Sequence, residues 1–311
     1  MVYSNNAHIQ YNNNVHIQYI NNVHIQLLVL IKKHMKTEIS LSSNTLFHFT
    51  NNAENLINIL TSGFSPRFCL EQFGTNQFLF GDKIKEGKKT DMEWEEAIPI
   101  SCFCDLPISH ISSHLEFYGS YGIGLTKNWG IKNGLTPLTY IHENSKQLEY
   151  LRKLGKIAWN TKKLSNKYDS EDPRVLIIEL SGFFKPYEGE MWRINKYVTK
   201  RFYDEREWRY IPFLLPEKVK EPKQPINFTE DYRLTKIEFH NDIKQAKANK
   251  YVKENHSLEF YFEDIKYIII KNDSEAKAMT EAINSTNRFT DEQKIILSTK
   301  IISCEQIKED F

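Results

Sequence analysis

Short runs of apolar and β-forming residues recur along this chain at uneven spacing, and that pattern limits the folds it can adopt. Helical patterns lie between the runs, but the two kinds of segment do not alternate strictly, as they would in a doubly wound sheet. We therefore predict an α+β fold with a mixed, largely antiparallel sheet and flanking helices. The predicted strands are residues 45–50, 98–103, 122–126, 175–180, 258–262 and 267–270, with a further extended segment at 202–212.

Capping residues mark the predicted helices. Asn51 and Asn52 are favourable N-caps for a helix after the first strand, and Gly63 is a typical C-terminal cap. Within that helix, Leu56 and Leu60 fall on one face. Other helices are predicted at residues 108–117, 147–163, 273–283 and 291–297, and loops at 74–96 and 216–225.

An eight-residue repeat opens the chain. Its copies begin at Asn5, Asn13 and Asn21, so that His8, His16 and His24 recur at equal spacing. An extended chain would hold successive histidines about 26 Å apart, which disfavours a metal site, and solenoid units are much longer. We interpret residues 1–34 as an extension that is disordered or not native. A single domain is predicted over residues 35–311, beginning at Met35.

The charge balance and the cysteine count restrict the class of protein. The 41 Lys and Arg residues nearly cancel the 40 Asp and Glu residues, leaving a formal net charge of +1. Proteins that coat nucleic acids are basic. Four cysteines are too few for a disulfide scaffold in 311 residues. The largely apolar run at residues 25–31 is shorter than the ~20 residues that a membrane-spanning helix needs. We expect a cytoplasmic protein with no membrane contact.

Histidines, threonines and tyrosines next to predicted strands are the first candidate functional residues. His48 and Thr50 end the first strand, although a histidine among aromatic residues is more often part of a core. Tyr118 and Tyr121 alternate with glycines, a pattern that lets the backbone approach a flat ring and leaves aromatic faces for stacking. A tight turn packed by two tyrosines is the alternative.

Two carboxylates are the second group of candidates. On an extended segment, Glu205 and Glu207 share one face with Arg209. Paired carboxylates near aromatic residues suit acid–base chemistry or the stabilisation of an electron-poor centre. A Glu–Arg ladder that only stabilises the sheet is the alternative interpretation.

A zinc site is not predicted. Cys102 and Cys104 form a C-x-C pair, with His110 and His114 downstream. This spacing departs from structural zinc sites, in which two to four residues separate the cysteines. Two small thiols packed in a core strand explain the pair better.

In combination and in this order, several stretches resemble the AbiGi family of bacterial abortive-infection proteins. The most specific are CFCDLP at residues 102–107 and YGSYGI at 118–123. The others are TLFHFT at 45–50, GFSP at 63–66, PLTY at 137–140, EREWRY at 205–210 and DIKYIII at 264–270. The resemblance implies phage defence, with a role as the antitoxin that binds a cognate toxin in a two-gene pair.

A second resemblance is to the ADP-ribosyltransferases, including the DNA-modifying DarT toxins. It rests on a histidine in the first strand, a later tyrosine and a Glu-x-Glu element late in the chain. Phe49 replaces the glycine that usually follows the histidine. The resemblance implies an ADP-ribosyltransferase-like fold with NAD as the substrate and no metal. The residues it implies for NAD are His48 on the ribose, Tyr118 or Tyr121 on nicotinamide, Arg67 on a phosphate, and Thr50 as a further cofactor-binding residue. The implied catalytic residues are Glu207 and Glu205.

These resemblances together predict a phage-defence protein that transfers ADP-ribose from NAD to a nucleic acid or a protein. The alternative is a non-catalytic antitoxin that neutralises a partner toxin by direct binding. Convergence of His48, a tyrosine and Glu207 on one cleft would favour the enzyme. A Glu207 side chain fully paired with arginine would favour the binding protein.

Overall fold

The computed structural model describes residues 43–71, 96–160, 172–193, 196–212 and 234–310. Within these ranges, nine strands form one sheet, and two more pairs of strands lie outside it. The strands are β1 (Thr45–Thr50), β2 (Arg67–Glu71), β3 (Glu96–Cys104), β4 (Tyr121–Thr126), β5 (Thr136–Pro137), β6 (Thr139–Ile141), β7 (Phe184–Pro186), β8 (Gly189–Arg193), β9 (Lys196–Lys200), β10 (Glu207–Tyr210), β11 (Leu234–Thr235), β12 (Ile265–Ile270) and β13 (Ile301–Ser303).

The helices lie between and after these strands. They are α1 (Ala53–Ser62), α2 (Ser112–Tyr118), α3 (Lys127–Lys132), α4 (Lys146–Asn160), α5 (Pro173–Ser181), α6 (Lys236–Phe239), α7 (Asp242–His256), α8 (Ala276–Ser285), α9 (Asp291–Ser298) and α10 (Cys304–Asp310). Short 3₁₀ turns occur at Ile108–His110, Phe202–Glu205, Phe262–Asp264 and Asp273–Glu275.

The large sheet is mixed but mostly antiparallel. Its main path is β13-β12-β4-β1-β3-β10-β5, and both β2 and β11 pair with β3. Every pair of neighbours in it is antiparallel except β12 and β13, which run parallel. The predicted α+β class with a largely antiparallel sheet is confirmed.

Both faces of the sheet are covered, and β1 shows why. Its side chains alternate, so Leu46 enters one apolar cluster and Phe47 enters another. On the Leu46 face, side chains of α1, α3, α8 and α9 complete the core. On the Phe47 face, Leu115 of α2 and Ile307 of α10 do so. We use "Leu46 face" and "Phe47 face" for the two sides below.

The first helix begins and ends where its capping residues predict. The side chain of Asn52 accepts a hydrogen bond from the Asn55 backbone N–H at 2.8 Å. At the other end, Gly63 has a φ of 77° and its N–H donates to the Ile59 carbonyl. Leu56 and Leu60 are buried, as predicted for the inward face.

One predicted strand is a helix. Residues 175–180 lie within α5, whose first residue is Pro173. Proline suits the first turn of a helix because its missing N–H has no helical partner there. Along α5, Ile177 is buried while Leu176 and Leu180, four residues apart, are about half exposed. A short apolar run does not by itself distinguish a buried strand from a helix, which explains the error.

Other elements differ from prediction or lie outside the described ranges. Leu258 forms only an isolated bridge with Phe64, and no strand spans residues 258–262. The helix α7 was not predicted because its polar sequence has no clear apolar face, although Asn241 caps it. Residues 1–34, 74–95 and 216–225, for which an extension and two loops are predicted, are not among the described residues.

Gly119 and Gly134 allow a matched test of close packing. Both have positive φ, but a Cβ at Gly119 would overlap the Thr50 carbonyl oxygen, whereas a Cβ at Gly134 would meet nothing within 4 Å. We expect Gly134→Ala to lower the free energy of unfolding by about 1–2 kcal/mol, the cost of left-handed backbone. Gly119→Ala should cost about 1–3 kcal/mol more, because its neighbours must move. Denaturant titration of both variants measures the difference, and equal losses would contradict the packing at Gly119.

Candidate functional site: a buried charge network

Three charged residues from the EREWRY stretch lie inside the protein. In β10, Glu207 is opposite Cys104 and Arg209 is opposite Cys102 of β3, so both side chains point to the Phe47 face. Glu205, in the 3₁₀ turn just before β10, is also buried. This group is the centre of the candidate site.

Arg209 connects three separate parts of the chain. Its Nε donates to Glu207 at 2.5 Å, and its two terminal nitrogens reach a carboxylate oxygen of Glu71 at 3.0 Å and the Gly182 carbonyl at 3.1 Å. Only 1% of Arg209 is exposed. Since an unpaired buried charge is strongly unfavourable, these contacts fix the positions of β2 and of the turn after α5.

Lysines neutralise the remaining carboxylate oxygens. Lys185, from β7, lies 2.6 Å from Glu205 and 2.7 Å from Glu207. Lys200, from β9, lies 2.7 Å from the other oxygen of Glu205. Each of the two buried glutamates therefore has a cation at both of its oxygens.

Two tyrosine hydroxyls complete the network. Tyr118 donates to Glu205 and lies 2.9 Å from Lys200, while the Tyr140 hydroxyl accepts from the Glu207 backbone N–H at 2.8 Å. Burial, and then the charge of Glu205, raises the pKa of Tyr118 well above its usual range. Tyr118 is therefore a neutral hydrogen-bond donor at physiological pH, not a base.

The cations also decide how the glutamates titrate. Burial alone would raise the pKa of Glu207, but Arg209 and Lys185 outweigh it and hold that pKa far below its usual range. The pKa of Glu205 is likewise lowered, because Lys185 and Lys200 outweigh burial and the repulsion from Glu207. Both carboxylates are ionised at neutral pH, so neither is a proton donor, and the lowered pKa makes each a weaker base than an ordinary glutamate.

His48 lies on the opposite side of the sheet from Glu207. Phe47 pairs with Cys104, so the next side chain along β1 points to the Leu46 face. There the His48 ring packs 5.2 Å from the ring of Phe64 and 5.4 Å from that of Phe103, and its Nδ1 lies 2.8 Å from the Cys102 carbonyl oxygen. Burial lowers the pKa of His48, which favours the neutral ring.

The other candidates divide between separate places. Thr50 and Tyr121 are directly paired across β1 and β4, and the Tyr121 hydroxyl donates to Glu275 at 2.9 Å. The Thr50 hydroxyl accepts from the Asn55 side chain at 2.9 Å. Arg67 is exposed at the start of β2. The structure therefore brings Tyr118, Glu205 and Glu207 together but does not add His48, Thr50, Tyr121 or Arg67 to them.

Sequence reasoning placed Arg209 beside the glutamates but did not find the two lysines of this network. Lys185 and Lys200 are two among many lysines, and no local pattern distinguishes them. The expected common face of Glu205, Glu207 and Arg209 is found, but Glu205 reaches it from a 3₁₀ turn. The left-handed Arg206 (φ 44°) makes the transition from that turn to β10.

A cavity of about 510 Å³ lies elsewhere, next to the end of β1. Its lining includes Asn51, Tyr121, Lys271 and Lys308, but neither Glu205 nor Glu207.

In the described part of the chain, no group of three or more His, Cys, Asp or Glu residues is placed to hold a metal ion. Nor do the described residues include a helix with the length and apolarity needed to span a bilayer.

Comparison with known proteins identifies the family. Residues 63–271 match the model of a family described as "Putative abortive phage resistance protein AbiGi, antitoxin". The chain belongs to the AbiGi family. It is 30% identical over 275 residues to the abortive phage resistance protein AbiGi of Lactococcus lactis subsp. cremoris, an alignment that covers 80% of this chain and 99% of that protein. No solved structure matches the chain. The AbiGi resemblance noted from the sequence motifs is confirmed.

Removing Arg209 should be much more damaging than removing the whole ion pair. Arg209→Met leaves Glu207 and Glu71 without their shared cation, so we expect a loss of about 3–5 kcal/mol in the free energy of unfolding. The double variant Glu207→Leu/Arg209→Met should recover part of that loss, because it leaves fewer uncompensated charges. Denaturant unfolding of both variants measures the effect. A double variant that is less stable than Arg209→Met would contradict this expectation.

The network should also make stability depend on pH in the acid range. The folded-state pKa values of Glu205 and Glu207 lie below the value of about 4.3 for an unfolded glutamate. Their stabilisation is therefore present above pH ~4.3 and is lost as pH falls through the lowered pKa values. Glu205→Gln should show a smaller loss of stability between pH 5 and pH 2.5 than the wild type. Parallel pH curves would contradict this assignment.

Proposed function

We propose that this AbiGi-family protein acts in the cytoplasm as an antitoxin-type binding protein that neutralises a partner toxin by direct contact. The observation that carries the proposal is the complete pairing of the Glu-x-Glu carboxylates. Lys185 lies within ion-pair distance of both glutamates, and Arg209 and Lys200 occupy their other oxygens. In a binding protein these paired charges need only stabilise the fold, whereas an enzyme would need the carboxylates to contact a substrate.

Burial supports the same conclusion. Glu205 is 3% exposed and Glu207 is 6% exposed. A glutamate that stabilises an oxocarbenium-like centre must contact the reacting ribose, and these oxygens already contact cations. His48, on the Leu46 face, is separated from them by the sheet itself.

The free thiols support the proposed cytoplasmic location. Cys69, Cys102, Cys104 and Cys304 are all free. Burial raises the pKa of Cys69 and of Cys304 to about 11, so both are unreactive thiols at neutral pH. Free thiols are typical of proteins that remain in a reducing compartment.

An NAD-dependent ADP-ribosyltransferase is the second candidate. Tyr118, about one third exposed, bonds to Glu205, which resembles a substrate-stacking tyrosine beside a Glu-x-Glu element. Tyr121 lines the cavity that also contains Lys271 and Lys308, two cations that suit the phosphates of NAD. In this alternative, Glu207 and Glu205 act on the ribose, His48, Thr50 and Arg67 hold the dinucleotide, and a nucleic acid or protein accepts ADP-ribose.

Toxin neutralisation and NAD turnover separate the two candidates. We expect the purified chain to form a complex with the toxin encoded beside it and to restore growth of cells that express that toxin. No label should pass from radiolabelled NAD to protein or nucleic acid in a cell lysate. Transfer of label that is lost in Glu205→Gln would overturn the proposal.

The conservative variant Tyr118→Phe keeps the ring and removes the hydroxyl that donates to Glu205. It should retain full toxin neutralisation, since the binding function does not use this hydroxyl. Thermal unfolding of each variant shows whether it is folded at the assay temperature. Loss of neutralisation in a well-folded Tyr118→Phe protein would contradict a purely structural role for the network.

A further inference from the structure

A ridge of tyrosines stands over the buried charge network. The ring of Tyr203 lies 5.4 Å from that of Tyr140 and 5.5 Å from that of Tyr187. Arg206 lies over the Tyr203 ring and Arg201 over the Tyr187 ring, both at about 6 Å. We call these five residues the tyrosine ridge.

The backbone holds this ridge in place. The Tyr203 N–H donates to the Tyr187 carbonyl at 3.1 Å, and the Tyr187 N–H donates to the Ile141 carbonyl at 2.9 Å. Arg206, in its left-handed conformation, accepts at its carbonyl from the Asp105 N–H at 3.0 Å. A surface already fixed in this way loses little conformational entropy when it binds.

A cavity of about 570 Å³ continues from the ridge. Tyr187 forms part of its lining, and the neighbouring His142 ring lies 6.3 Å from the Tyr187 ring. The apolar part of the lining includes Ile141, Leu148 and Pro186, all buried. The cavity is therefore suited to an inserted side chain with an apolar stem.

Arg152 of α4 places a hydrogen-bond donor in this cavity. It lines the cavity, and its Nε is shielded from solvent without a hydrogen-bond partner among the described residues. A buried donor without an acceptor is rare and costs about 1–3 kcal/mol. A carboxylate inserted beside Arg152 would supply the missing acceptor as a charge-assisted hydrogen bond.

The charge around the site favours a protein over a nucleic acid. Among the described residues of the ridge and the cavity lining, Arg152, Arg201 and Arg206 are matched in number by Glu143, Glu188 and Asp204. A surface without excess positive charge does not release the counterions of a phosphate backbone. Tyrosine and arginine are, in contrast, the residues that dominate binding energy at protein interfaces.

We infer that the tyrosine ridge and its cavity are the surface on which this chain binds its toxin, with an Asp or Glu side chain of the toxin inserted beside Arg152. The inference rests on the proposed function, because it names the surface through which neutralisation takes place. The ridge supplies the aromatic contact area, and Arg152 fixes the position of the inserted acid.

Two variants and two matched controls test the surface. Tyr203→Ala removes the central ring, and Tyr251→Ala is its control because both tyrosines are 45% exposed. Arg152→Met removes the donor but keeps an apolar stem, and Lys156→Met removes a cation from the exposed side of the same helix. The dissociation constant of each purified variant with the purified toxin is measured by titration calorimetry.

We expect Tyr203→Ala and Arg152→Met each to weaken the complex at least about 30-fold, as residues at the centre of an interface do. Both controls should stay within about threefold of the wild type. Equal affinity for all four variants would overturn this surface while leaving the proposed function intact. Absence of any complex with the wild-type chain would overturn both.

A footprint on the wild-type protein avoids any effect of the variants on folding. Hydroxyl-radical labelling of Tyr203 should fall several-fold when the toxin is bound, whereas labelling of Tyr251 should not change. A complex in which Tyr203 remains as reactive as in the free chain would place the toxin elsewhere.

Discussion

The enclosed charge of Arg209 is the interaction on which the rest of this structure depends. A guanidinium with 1% exposure needs partners nearby, and each of its three nitrogens bonds to one, in β10, in β2 and in the turn after α5. Glu207 then requires Lys185, and Lys185 also serves Glu205. Distant segments are brought together because each buried charge in the series requires the next.

Local signals made much of the fold predictable from sequence. β1, α1 and its two caps follow from alternation and capping chemistry over adjacent residues. The strand predicted at residues 175–180 is wrong because a short, mostly apolar run (VLIIEL) fits a helix as well as a strand, and only packing decides between them. The long helix α7 was missed for a related reason, since its polar sequence shows no buried side.

The candidate site was less predictable, for a physical reason. Whether His48 and Glu207 meet depends on the pairing of Phe47 with Cys104, a contact between residues far apart in sequence. A shift of one residue in that register would have placed both on the same side of the sheet. The lysines that neutralise the glutamates come from β7 and β9, and nothing in their local sequence indicates that role.

Two glycines of β4 pack directly against the rings of Phe47 and Phe49 in β1. A Cβ at Gly122 would meet Phe49 at 2.8 Å, and a Cβ at Gly124 would meet Phe47 at the same distance. The glycines therefore leave a shallow slot across the strand, and two rings 6.1 Å apart fill it. The flat ring that this glycine-rich stretch accommodates belongs to the protein itself. Each phenylalanine and the glycine that faces it share one limited space. In related sequences we therefore expect the two positions to change together, with a smaller residue in β1 wherever β4 has a larger one.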